Sequence, residues 1–414
     1  MYSSPTPSLT SRILTVVLLS LSSTYAFTPI PDPQICHLPS SLQSLHTQVP
    51  STDSILQAVS VPGSSPRASP STSSLVKLAY ITPWNGHGYD LAKWHASRFT
   101  HISPVWYQLT LQHNQKPQLT GGHDVDESWL DELRSASRPP KIVPRVQIQF
   151  SREAAEAIQY YPQGQPGMIL DVLLQEVDRY GYDGLTVEMP QPQLFKALLE
   201  LIGEELHANG KELVLVVPPL HTPEQMGTVI GADDLRDLED AVDYFSVMTY
   251  DHAASLGREG PNSPLPWTRE VMEALIDAEA DADADGDDLD ADLEDDRGTD
   301  NSGRGLTSKQ HRTAKILLGL PFYGYKLSKA KGMEAYTASN YMDFLREHKD
   351  IVIQWDGMSK EHRMIADAGK ETMSVLWYPS LLSLLHRLQL AEELGVGIAI
   401  WELGQGLDQF VDVL

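Results

Sequence analysis

The sequence predicts an α/β fold closed into a (β/α)8 TIM barrel, with a small α+β insertion between its seventh and eighth strands. Eight short apolar runs recur after residue 75, each followed by a longer amphipathic stretch. Strands that alternate with helices pair in parallel through right-handed crossovers, and eight such units suggest a closed barrel. No glycine-rich phosphate loop follows the first run, which counts against an open dinucleotide-binding sheet.

In chain order the first four strand candidates are LVKLAYITPW (75–84), THISPVWYQL (100–109), KIVPRVQIQF (141–150) and YDGLTVEM (182–189). The next four are KELVLVVPP (211–219), VDYFSVMTYD (242–251), KILLGLPFYG (315–324) and GVGIAIWELG (395–404). Helical periodicity fills Met168 to Tyr180, where Ile169, Val172, Leu173 and Val177 share a face, and also Leu194 to Ala208 and Leu381 to Leu394. Residues 325–379 exceed what one crossover needs and carry their own mixed pattern, which places the α+β insertion there.

Residues 1–26 read as a secretory signal peptide. Arg12 precedes the apolar run Ile13 to Leu21, and Thr24-Tyr-Ala26 offers small residues for cleavage. The run is too short to span a bilayer. The expected location is therefore secreted, or lysosomal or vacuolar by the same route, with no membrane partner once the signal is removed. Residues 27–74 are Ser-, Pro- and Thr-rich and read as a low-complexity linker or pro-region, with a short helix near Ser41 to Leu45. Cys36 is the single cysteine, so no internal disulfide can form. Residues 75–414 form the barrel domain. The formal net charge of -25 excludes nucleic acid and anionic membrane surfaces, which need a basic face.

Two clusters suggest metals and are read otherwise. Asp277 to Asp296 holds twelve acidic residues in twenty, and Asp281, Asp283, Asp285, Gly286 and Asp292 fall at EF-hand spacings. Asp288 stands at a normally apolar position and no strong helix flanks both sides, so 277–304 reads as a disordered acidic insert. His123, Asp124 and Asp126 are too few for a metal site, and they read as a loop capping the helix that begins near Glu127. No metal and no cofactor is expected.

In barrels of this kind the site lies at the C-terminal strand ends. Those ends carry Tyr80 and Trp84, Trp106, Glu188, Met248, Tyr250 and Asp251, Tyr323, and Trp401 and Glu402. Aromatic faces stack on sugar C–H faces, and carboxylates accept from hydroxyls and amides. The set reads as a carbohydrate cleft.

Met248-Thr-Tyr250-Asp251, Gly319-Leu-Pro-Phe-Tyr323-Gly324 and the run from Tyr378 to Trp401 resemble the strand-six, strand-seven and terminal signatures of glycoside hydrolase family 18. The resemblance covers residues 75–414 apart from the acidic insert. It implies a chitinase-like domain that takes chitooligosaccharides or related amino sugars. Tyr250 and Asp251 match residues contacting the N-acetyl group, and Trp401 matches the floor under the central sugar. Active members carry Asp-Gly-x-Asp-x-Asp-x-Glu on strand four, where the Glu protonates the glycosidic oxygen and the substrate's own acetamido oxygen attacks.

Aligned on Asp183-Gly184, this chain has Thr186 and Glu188 at the two inner motif positions and Pro190 where the acid stands. Alternation puts 186, 188 and 190 on one face, so Glu188 points inward but about 6.6 Å deeper than the acid. That exceeds the reach of a general acid, about 2.6–3.2 Å. The leading expectation is binding of amino-sugar oligomers without efficient hydrolysis. Two alternatives stay open at this point. One is a weak hydrolase using Glu188, kept protonated by burial. The other is a protein-partner module whose cleft is vestigial.

Overall fold

The computed structural model describes residues 51–59, 75–160, 165–219, 229–276, 308–348 and 350–414. The residues read as a signal peptide, Cys36, the helix expected near Ser41 and the acidic insert with its EF-hand spacing lie outside the described residues.

The strands up to the insertion are β1 (Lys77–Ile81), β2 (His101–Pro104), β3 (Tyr107–Leu111), β4 (Gln118–Thr120), β5 (Lys141–Ile142), β6 (Arg145–Phe150), β7 (Gly184–Glu188), β8 (Glu212–Val217), β9 (Tyr244–Val247) and β10 (Ile316–Pro321). The insertion holds β11 (Gly324–Ser328), β12 (Gly332–Tyr336), β13 (Val352–Asp356), β14 (Glu361–Ala366) and β15 (Ser374–Tyr378), and β16 (Gly397–Trp401) follows it. The main sheet runs β4-β3-β6-β7-β8-β9-β10-β16-β1-β2-β5. It is a curled mixed sheet, parallel throughout except where β4 folds back antiparallel on β3.

Each of the eight apolar runs forms strand, but the second and third are each broken in two. The breaks fall at prolines. Pro104 ends β2 and Pro144 separates β5 from β6, and a proline has no N–H to give the ladder. Pairing continues in halves, β2 with β5 and β3 with β6. The carbonyl of Pro144 still accepts from the Thr186 N–H at 2.9 Å.

Alternation along the strands sorts side chains into two cores. Ala79, Ile81, Val146, Leu185, Val187, Leu213, Leu215, Leu318 and Ile398 join the large cluster beneath the helices. Leu78, Tyr80, Val143, Val214, Val216, Leu317 and Ala399 form a second cluster inside the curl, with Met248 and Trp401 packed against it. The helices that cover the outer face start and stop on local signals. Ser380 caps helix Leu381–Leu394 by accepting from the Ser383 N–H at 3.2 Å, and Gly395 ends it with φ of 70°.

Between β10 and β16 stands a five-stranded antiparallel sheet, ordered β12-β11-β15-β14-β13, with the helix Ala338–Glu347. It is pinned to the main sheet's helices by a buried ion pair. Arg387 of helix Leu381–Leu394 meets Glu361 of β14 at 2.8 Å, and Glu361 also accepts from the backbone N–H groups of Asn262 and Ser263. Arg387 donates further to the carbonyls of Ser263, Ser359, Lys360 and Ser383.

The segment read as linker contains one described element, the helix Thr52–Val59. Its Ile55 is buried and faces Tyr341, Met364, Leu407 and Phe410. One apolar side chain with a matching surface recess is too weak a signal to stand out in a Ser/Pro-rich stretch.

Candidate functional site

β7 enters between its neighbours through Asp183 and Gly184. Asp183 accepts from the Ile142 N–H at 2.8 Å, which ties the strand's start to β5. A Cβ on Gly184 would lie 2.0 Å from the Glu212 carbonyl oxygen, so the approach to β8 requires glycine. Further along, Leu185, Val187 and Met189 pack outward among the helices, while Thr186 and Glu188 follow the other face and Pro190 lies on the bend after the strand. Thr186 is buried, donating to the Val143 carbonyl and accepting from Ser103. Pro190 is exposed at the lip of a cavity of about 510 Å³, whose wall includes Gln147, Gln149, Glu188, Val216 and Met248.

Glu188 serves as an acceptor. Its Oε2 takes the Arg145 Nε–H at 2.6 Å and its Oε1 the Gln147 amide at 3.4 Å. The Arg145 guanidinium carbon stands 6.0 Å from the centre of the Trp401 ring. Tyr80 packs on the same tryptophan at 5.2 Å and donates to Ser246 at 2.8 Å. Burial raises the Tyr80 and Tyr250 hydroxyls above the usual tyrosine range, so both are neutral donors.

Beside this group lies a carboxylate cradle. Asp251 adopts a left-handed backbone conformation, φ 63°, which Asp tolerates better than most residues. Its Oδ1 accepts from the hydroxyls of Tyr323 and Tyr325. Asn262 holds the arrangement from behind. Its side chain accepts the Asp251 N–H at 2.7 Å and donates to the Tyr323 carbonyl at 2.9 Å. Tyr250 and Tyr323 meet edge to face at 6.2 Å.

The structure thus brings together Tyr80, Glu188, Tyr250, Asp251, Tyr323 and Trp401, with Met248 on the cavity wall. Trp84 stands apart on the turn after β1 with 72% of its surface exposed. Two expected cleft residues are corrected. Trp106 follows the break in the second strand and is buried among Tyr89, Trp129 and Tyr182, its indole N–H given to Tyr89. Glu402 is buried and accepts from the Thr82 and Gly404 N–H groups and the Asn85 amide, with Gly88 leaving no room for a Cβ beside it. Asp126 caps the helix Glu127–Arg134, accepting from the Trp129 N–H at 3.0 Å, and His123 is an exposed neighbour of Asp124.

Sequence reasoning missed Arg145, Gln147, Asn262 and Tyr325. Arg145 carried a usable signal, because a charge inside an apolar strand must find a partner.

Burial pushes the Glu402 carboxyl up to about 7, above its ordinary 4.5. The folded state then holds a proton that the unfolded chain has released. Its contribution is full below about pH 4.5 and is lost as pH rises through about 7. Relative to Glu402→Gln, the wild type should lose on the order of 3 kcal/mol between pH 4.5 and pH 8. Urea unfolding of both proteins at the two pH values measures this, and an unchanged difference would contradict it.

Comparison with known proteins follows the same geometry. The family described as glycosyl hydrolases family 18 matches residues 168–406. A chitinase from Chromobacterium violaceum superposes with a TM-score of 0.64 at 19% identity, covering 82% of this chain and 98% of that one. The spore cortex-lytic enzyme SleL of Bacillus megaterium gives 0.61 at 15%, covering 81% and 72%. A Cycas revoluta chitinase mutant, solved in complex with (GlcNAc)4, gives 0.59 at 18%, covering 81% and 97%. At these identities the likeness is one of fold.

Proposed function

The chain belongs to glycosyl hydrolase family 18, and from that premise we propose that it is a chitinase-like protein that binds chitooligosaccharides or related amino sugars without efficient hydrolysis. The observation carrying this reading is on β7. Aligned with the family motif on Asp183-Gly184, Pro190 falls at the acid's position just past the strand and has no proton to give, while Glu188 is engaged as acceptor by Arg145 and Gln147. A hydrogen-bond acceptor fixed on a guanidinium is poorly placed to donate to a glycosidic oxygen. What remains suits binding. Trp401 offers a ring for a sugar face, and Tyr250 and Asp251 offer a donor and an acceptor for an acetamido group.

We read the curled sheet as the family's eight-stranded barrel, each proline-broken strand counting as one. The strings YITPWNGHGYD, FTHISPVW, SVMTYD, GPNSPL and IWELGQGLDQF favour a finer resemblance to chitinase domain-containing protein 1, a stabilin-interacting chitinase-like protein. A place in the secretory route, secreted or lysosomal, and a protein partner are part of that reading. Binding of (GlcNAc)4 by the Cycas structure's protein supports the ligand class.

The test is a paired measurement on one sample. Calorimetry with chitooligosaccharides of three to six sugars should give saturable binding, and chromatography of the same mixtures after prolonged incubation should give no shorter products. Turnover that disappears in Glu188→Gln would establish the weak hydrolase instead. No binding of any oligomer would leave the protein-partner reading.

A further inference from the structure

Arg145 is a fixed cation beside the candidate cleft of an acidic chain, with formal net charge -25. Its side chain is 11% exposed. Only its Nε edge is used, by Glu188 at 2.6 Å. Among the described residues, no protein group accepts from its Nη1 and Nη2 atoms. The guanidinium also stands 6.0 Å from the Trp401 ring centre, within cation–π range. Glu188 therefore does for Arg145 what an orienting carboxylate does for any guanidinium. It fixes the plane through one edge and leaves the terminal fork without a protein acceptor.

A free guanidinium fork is matched by a carboxylate or a sulfate, which accept two parallel N–H bonds. A neutral sugar on Trp401 would meet that fork with single hydroxyl acceptors and would still have to displace its water. We propose that Arg145 is a specificity-determining residue, and that the subsite over Trp401 selects amino sugars bearing an acidic substituent. This rests on the reading of the chain as a glycan binder and narrows the ligand class. The acidic group lies on the Nη side of Arg145, away from Glu188, so one guanidinium bridges two anions.

Calorimetry on the full chain would compare three probes at low ionic strength. These are triacetylchitotriose, the same trimer carrying one C6 carboxylate, and the same trimer carrying one 6-O-sulfate. At least one acidic trimer should bind about tenfold tighter than the neutral one, and the gap should narrow with added salt. Which of the two gains identifies the substituent. Arg145→Gln should close the gap, bringing the acidic and neutral trimers to within about threefold of each other. Glu188→Gln removes the competing anion and should widen the gap, and Arg145→Lys should keep part of it. Thermal unfolding of each variant checks that it folds.

Equal affinity for neutral and acidic trimers would overturn the proposal and leave the glycan-binding reading standing. So would an acid preference that survives Arg145→Gln. Failure of all three trimers to bind would overturn both.

Discussion

Replacing Arg387 by methionine is expected to lower the unfolding free energy by about 3–5 kcal/mol. The pair with Glu361 is enclosed on all sides, with Arg387 2% and Glu361 3% exposed. Burial raises the Glu361 carboxyl and lowers the Arg387 guanidinium, and their mutual attraction opposes both shifts. Removing the arginine leaves a buried carboxylate and also strips a donor from four carbonyls, at Ser263, Ser359, Lys360 and Ser383. Each buried polar group left unsatisfied is costly in its own right. A second change, Glu361→Gln, should recover part of the loss. It removes the stranded charge while its amide oxygen still accepts from the Ser263 N–H. Urea unfolding with a common m-value reads both variants, and a cost under about 1 kcal/mol for Arg387→Met would sink the argument.

Trp401→Ala should weaken chitooligosaccharide binding about 10- to 100-fold. The indole is half-buried, packed on Tyr80 and the inner apolar cluster, so its position is set before any ligand arrives. Trp401→Phe should restore part of the affinity by returning an aromatic face. Trp84→Ala offers the contrast. That ring is 72% exposed, so its loss should cost no more than about threefold. Titrations of the three variants with one oligomer settle the order. Affinity untouched by Trp401→Ala would mean that the cleft is not where glycans bind.

The strands were legible because each is an apolar run bounded by turn residues, and the helices because their apolar residues recur on one face. Alternation on β7 was legible too, and it placed Thr186 and Glu188 on one face from sequence alone. The errors at Trp106 and Glu402 have related causes. The strand-end rule selects positions along the chain without selecting a face. Glu402 directly follows the inward Trp401, so period two sends it the other way. Trp106 sits just past the Pro104 break, where the regular alternation is interrupted. Arg145 with Glu188, and Asn262 behind Asp251, were not legible. Those partners are 43 and 11 residues apart, and only the folded sheet sets their distances.

The helix Thr52–Val59 bears on how the chain is made. Ile55 rests on side chains contributed by residues 341 to 410, so its seat is completed only after Phe410 has been synthesised. During translation this helix has nothing to dock on, and closing so long a loop delays the contact further. Its docking, like the pairing of β1 with β16, therefore waits on residues far along the chain. Until the helix docks, Tyr341, Met364, Leu407 and Phe410 present an uncovered apolar recess of the kind that nascent-chain chaperones engage.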